Sequence, residues 1–175
     1  MKRTDYPEPA EREPDLVLLG CGKTKVPGTD PVPAADLYIG PLFQARRKFA
    51  EQQARPWLIL SAKHGVVEPG CLLQPYDTTI EDLSPAALAM WQAGVRARLS
   101  AWFAGATAGR TLELHAGESY TRALRTALTG LRLAVVPAFT RQGIGVQLAC
   151  YAAGYERPHT AGGFGYVELS KFTQP

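Results

Sequence analysis

The feature that most limits how this chain can fold is an alternation. Four short, mostly apolar runs, at residues 16–19 (LVLL), 57–60 (WLIL), 111–114 (TLEL) and 133–136 (LAVV), each stop abruptly at a polar segment carrying glycine, and helix-like sequence separates one run from the next. Such runs suit strands buried on both faces, which occur in parallel sheets covered by helices. Right-handed crossovers would bring all four C-terminal ends to one edge. The expected fold is therefore α/β: a single three-layer domain around a mainly parallel sheet of four to five strands. Its rim would gather the polar loops, where open α/β sheets bind their ligands.

Composition agrees with one domain. Across 175 residues, 46% are hydrophobic and 20% charged, enough for a proper core and unlike a disordered chain. Residues 1–14, with Pro7, Pro9 and Pro14 among mixed charges, read as a loosely held arm, leaving 15–175 as the domain. No apolar run approaches the roughly 20 residues of a membrane span, and the polar start lacks the apolar centre of a signal peptide. A cytoplasmic protein without a membrane partner is expected.

Cys21, Cys71 and Cys150 are odd in number and widely spaced, so reduced thiols are expected, with neither a disulfide framework nor a metal site, and no cofactor. The formal charge of +3 permits a nucleic-acid partner without requiring one. The run Arg46, Arg47 and Lys48, like the pair Arg96 and Arg98, reads as a solvated helix face.

Two helices are well marked. Residues 40–54 place Leu42, Ala45, Phe49 and Gln53 near helical spacing behind Pro41. After Ser84 as N-cap and Pro85, the side chains Leu88, Trp91, Val95, Leu99 and Trp102 form an apolar stripe that reads as core. Further helices are expected from about Tyr120 to Leu128 and up to Gly154. Residues 66–77 read as a loop, and the long proline-bearing stretch between Lys25 and Ala34 is a candidate for covering a site. In the tail, residues 166–169 are strand-like, and Arg157, His159 and Lys171 are placed to border a nucleic-acid path.

The strand ends hold the candidate site residues. After the first, Gly20, Cys21 and Gly22 let backbone approach a ligand while Lys23 and Lys25 bring cationic donors, an arrangement suited to phosphate. The spacing fits neither GxxxxGK[ST] nor GxGxxG, which argues against a nucleoside triphosphatase or a dinucleotide enzyme. Cys21 is either a small buried thiol or a nucleophile. The second strand ends in Ser61, Lys63 and His64, followed by Tyr76, whose ring can stack on a base, and Asp77, a catalytic carboxylate or a helix cap. His115, Glu118 and Tyr120 cluster at the third strand end, next to a helix N-terminus that favours anions. At the fourth, Arg141 is a phosphate clamp and Gln142 an amide that reads a base edge.

The combination Gly20-Cys21-Gly22-Lys23-Thr24-Lys25, Asp36-Leu37-Tyr38-Ile39-Gly40-Pro41-Leu42-Phe43, Leu60-Ser61-Ala62-Lys63-His64-Gly65 and Pro75-Tyr76-Asp77 resembles a bacterial family of unknown function, loosely grouped with YaaA-like peroxide-stress proteins. It is similar to the accessory domain of archaeosine-forming tRNA enzymes, which resembles the uracil-DNA glycosylase type of α/β fold. The likeness covers about residues 16–153 and implies nucleic-acid or nucleobase chemistry. The glycosylase motif Gln-Asp-Pro-Tyr is replaced by Gly20-Cys21-Gly22-Lys23, and His-Pro-Ser has no counterpart.

The leading expectation is an N-glycosidase acting on a modified or damaged nucleotide in DNA or RNA. That reaction needs a carboxylate beside an oxocarbenium-like sugar, Asp77 with Glu118 as its rival, and donors for the departing base, His64 with Lys63. Tyr38, Phe43 and Tyr76 would stack on the base, and Lys23, Lys25 and Arg141 would hold phosphates. Lys63 attacking the sugar would make the protein a lyase instead. The alternatives are a non-catalytic nucleic-acid or nucleotide-binding module, and a hydrolase or transferase on free nucleosides.

Overall fold

The computed structural model describes residues 13–157. Most of the expected N-terminal arm, the tail strand at 166–169, His159 and Lys171 lie outside the described residues. In chain order the elements are β1 (Leu16–Gly20), β2 (Val32–Pro33), α1 (Ala34–Leu37), α2 (Pro41–Gln52), β3 (Trp57–Ser61), β4 (Gly65–Val67), β5 (Leu72–Leu73), a 3-10 turn (Ile80–Asp82), α3 (Pro85–Trp102), β6 (Arg110–His115), α4 (Glu118–Ala127), β7 (Leu133–Pro137) and α5 (Ile144–Ala152). The main sheet has the order β4-β3-β1-β6-β7. β1 runs parallel to β3 and β6, β6 parallel to β7, and β4 antiparallel to β3.

Alternate strand residues feed two cores. Leu16, Leu18, Leu58, Leu60, Leu112 and Leu114 pack with Trp91, Val95, Leu99 and Leu124 of α3 and α4. Val17, Leu19 and Ile59 pack with Phe43, Phe49 and Ala50 of α2, against which α5 lies. β1 is central and buried on both sides, which is why it reads as a continuous apolar run. Truncating Leu18 to alanine there would cost about 2–5 kcal/mol.

Three expectations change. Residues 66–77 are not simply a loop: Gly65, at φ 68°, reverses the chain into the antiparallel edge strand β4, and β5 pairs with β2. A positive φ is cheap only for glycine, and two buried valines are too short a run to announce a strand. On α2 the buried stripe is Phe43, Arg46, Phe49 and Ala50, one position on from the predicted Leu42 and Ala45. Trp102, at the last turn of α3, is 38% exposed, whereas Trp91, Val95 and Leu99 are buried as expected. The Trp91 indole also donates to the Ser61 carbonyl at 2.9 Å, tying α3 to the end of β3.

The chain leaves β1 for α2 on one face and β6 for α4 on the other, so the loops after these neighbouring parallel strands diverge. That is a topological switch point, and it opens a crevice at the carboxyl ends of β1 and β6. Below the crevice the strands approach closely: a Cβ on Gly20 would stand 2.7 Å from the Ala116 Cβ, so only glycine fits.

Candidate functional site

The crevice is a cleft of about 430 Å³, within the usual range for small-molecule sites. Gly20, Cys21, Gly22 and Lys23 form its floor after β1. One wall comes from the α2/α5 face: Leu42, Arg46, Gln142, Gly143, Ile144 and Gln147. The other comes from the α3/α4 face: Thr78, Thr79, Glu81 and the start of α4, Gly117 to Tyr120. A smaller hollow of about 250 Å³ adjoins it, sharing Glu81 and Ser119.

Local sequence explains each wall. Thr79 and Asp82 form a capping box, with the Asp82 carboxylate accepting from the Thr79 amide at 2.6 Å, and this fixes the turn that presents Glu81. A hydrogen bond from the Ser119 hydroxyl holds the Glu81 carboxyl below the usual carboxylate range. Glu118 occupies the first turn of α4, where a negative charge complements the helix dipole. The N-caps of α4 and α5, Gly117 and Gly143, supply no side chain to their helix amides. On the floor, Cys21 Sγ and the Tyr120 hydroxyl are 3.1 Å apart. Burial pushes the Tyr120 phenol up, so it keeps its proton and can donate.

Arg46 is the unexpected member. It is 5% exposed, and its terminal nitrogen donates to Gln147 Oε1 at 3.0 Å while Gln147 Nε2 donates to the Gln142 carbonyl at 2.9 Å. Arg46 Nε and Gln142 Oε1 are buried without a partner. The expected solvated face therefore belongs to Lys48, which is exposed, and partly to Arg47, paired with Asp36 and Glu51. A sequence signal did exist: Arg46 stands three residues from both Phe43 and Phe49 and four from Ala50, a charge set into an apolar stripe.

Of the sequence candidates, Cys21, Gly22, Lys23, Glu118, Tyr120 and Gln142 line this cleft. A second group gathers around Tyr76 instead. Its hydroxyl lies 2.8 Å from Ser61 Oγ and 2.9 Å from the Tyr38 hydroxyl, and Ser61 Oγ also accepts from the His64 amide at 3.0 Å. The Lys25 ammonium stands 4.3 Å from the centre of the Tyr76 ring, that of Lys63 5.7 Å, and the His64 ring meets it edge-on at 5.3 Å. Burial pushes the Tyr38 phenol up to about 12 and Tyr76 up as well, while burial and then Lys63 push the exposed His64 down. Asp77 is exposed, and neither it nor Lys63 nor His64 lines the cleft.

The remaining candidates are placed differently from expectation. Tyr38 and Phe43 are buried against each other, ring centres 4.9 Å apart, so neither presents a face for stacking. His115 is wholly buried: its side chain shares one face of β6 with Glu113 and turns from the rim into the α2/α5 layer. There His115 Nδ1 meets the Tyr151 hydroxyl at 2.6 Å. Burial pushes its imidazole down, leaving it neutral at pH 7. Burial would raise Glu113, but His115 and Arg157 outweigh it and hold the carboxyl down to about 2. Arg157, expected beside a nucleic-acid path, is instead paired at 2.7 Å with Glu113 and at 2.8 Å with Glu13. Arg141 is exposed, has φ 61° and does not line the cleft.

Among the described residues, no group of three or more His, Cys, Asp or Glu side chains is placed to hold a metal ion, and no helix is long and apolar enough to cross a membrane. Cys21, Cys71 and Cys150 are free thiols.

Residues 16–153 match the family of unknown function DUF6884, and the chain belongs to that family. Over 69 residues it is 41% identical to the uncharacterized protein YfjM of Bacillus subtilis (strain 168). That stretch is 37% of this chain and 46% of YfjM, so the match spans about half of the relative's length.

Proposed function

We propose that this protein binds a modified or damaged nucleotide in the cleft between the ends of β1 and β6 and hydrolyses its N-glycosidic bond. The observation that carries this reading is the sorting of charge within one cleft: Glu81 and Glu118 on one wall, the buried Arg46 guanidinium on the other. The motif-level likeness to the uracil-DNA glycosylase type of fold supports the same chemistry.

In this reading water attacks the anomeric carbon as the carbon–nitrogen bond breaks. The electron pair leaves with the base, which gains a proton, and the water's proton passes to a carboxylate. Glu118 takes that place, since it lines the cleft and Asp77 does not. Its charge also steadies the oxocarbenium-like sugar. Tyr120, a phenol that keeps its proton, is the donor toward the departing base, and Gln142 Oε1, an acceptor with no donor, reads a base N–H or sugar hydroxyl. Lys63 and His64 are then outside the reaction.

The test is mass spectrometry of free bases after incubation of the full chain with nucleotides, DNA and RNA carrying varied base lesions. Release of a base that depends on the protein is expected. If binding is seen and no substrate releases a base, the protein is the non-catalytic module that the same cleft would serve.

A further inference from the structure

We infer that the α2/α5 wall of the cleft is a phosphate-binding site, in which Arg46 and the first amides of α5 hold the phosphate of a nucleotide; the nucleotide identity rests on the reading above, the phosphate does not. A guanidinium keeps its charge at neutral pH, and burying one without a counter-ion costs several kcal/mol. Arg46 is 5% exposed, yet among the described residues no carboxylate lies within 4.0 Å of it. Its Nε has no partner although the residue lines the cleft.

The start of α5 adds a second source of donors. This helix has nine residues, and Gly143 at its N-cap provides no side chain to its amides. A Cβ built on Gly143 meets nothing within 4 Å, so the space before the helix is open. Open amides at a positive helix end, beside a buried cation whose partners are the neutral Gln147 and Tyr151, are what a tetrahedral oxyanion needs. Gln147 couples the two, accepting from Arg46 and donating to the Gln142 carbonyl just ahead of α5. Lys23 on the floor adds exposed positive charge.

The acidic wall fixes the direction of the ligand. Glu81 and Glu118 repel an anion, so the phosphate lies against Arg46 and the sugar turns toward the carboxylates. Gln142 Oε1, being an acceptor, is not a phosphate contact.

The test titrates the isotope-labelled full chain with inorganic phosphate and follows backbone amide shifts. Saturable shifts at Lys23, Ile144 and Gly145 are expected. Gly143→Asp, at a φ of −65° that any residue tolerates, should weaken phosphate at least about tenfold while leaving the melting temperature unchanged or higher, because Asp is a favoured N-cap. Arg46→Gln should weaken it by at least about as much, through loss of the charge-assisted bonds. Absence of saturable shifts in the parent chain, or equal phosphate affinity in Gly143→Asp, overturns the site. Nucleoside 5′-monophosphates and an oligonucleotide lacking terminal phosphates form two further arms: tighter binding of the first marks a terminal phosphate, of the second a backbone phosphodiester. Phosphate binding without base release keeps this site and removes the glycosidase reading; base release without phosphate binding does the reverse.

Discussion

The ends of β3 and β1 are neighbours on one sheet edge, yet they treat their polar groups in opposite ways. After β3, Ser61, Tyr76 and Tyr38 satisfy one another, and Lys25, Lys63 and His64 pack over the Tyr76 ring. After β1, the groups brought together with β6 and α5 are left partly unfilled: Arg46 Nε and Gln142 Oε1 lack partners, and two helix N-caps are bare glycines. The first arrangement binds the protein to itself, while the second retains capacity to bind something else. A motif dense in polar residues thus marks a braced loop as readily as a site.

The largest effect that sharpens this contrast is catalytic. Glu118→Gln should lower base release by about 10²–10⁴-fold, the usual weight of a positioned acid or base, whereas Asp77→Asn should leave the rate unchanged. The reverse ranking would move the chemistry to the Tyr76 side.

Next come two stability effects, each read by denaturant unfolding. Tyr76→Phe deletes the hydroxyl shared by Ser61 and Tyr38 and leaves two buried groups short of a partner, a loss of about 1–3 kcal/mol. Phosphate affinity should change little, because none of Tyr38, Ser61 and Tyr76 lines the cleft. Gly20→Ala puts a methyl 2.7 Å from the Ala116 Cβ, an overpacking strain of about 1–3 kcal/mol. Here phosphate affinity should fall too, since the strand ends that shape the cleft must part.

The parallel strands were readable because burial on both faces leaves an uninterrupted apolar run, as in residues 16–19. The order of the chain then located the rim and six of its cleft residues. Arg46 was hidden by Arg47 and Lys48, which do face solvent or surface partners; its position relative to Phe43 and Phe49 carried more information than its charged neighbours. His115 was misplaced because strand alternation alone does not say which face is dry. That depended on Phe49, Tyr151 and Tyr155, which are remote in sequence. Tyr76 and Asp77 were drawn into the site by proximity in sequence, and the hydroxyl pair that claims Tyr76 comes from two other segments.

The smallest effect is a pH dependence. His115 has a folded-state pKa below its ordinary 6.5, so its contribution to stability is full above about pH 6.5 and is lost as the pH falls from there toward the folded value. Glu113, held down to about 2 from 4.5, loses its contribution only in the more acidic window between those values. Unfolding free energy should therefore decline between pH 7 and 5, and His115→Gln should flatten that decline. A slope that the substitution leaves unchanged would mean that His115 titrates alike in the folded and unfolded chain.

The most direct test of where the ligand sits needs no catalysis. Amide shifts of the full chain should be recorded with nucleoside 5′-monophosphates. Perturbations confined to Gly22, Lys23, Gly117, Glu118, Ile144 and Gly145 are predicted; perturbations centred on Lys63, His64 and Asp77, with those cleft amides unmoved, would contradict the account.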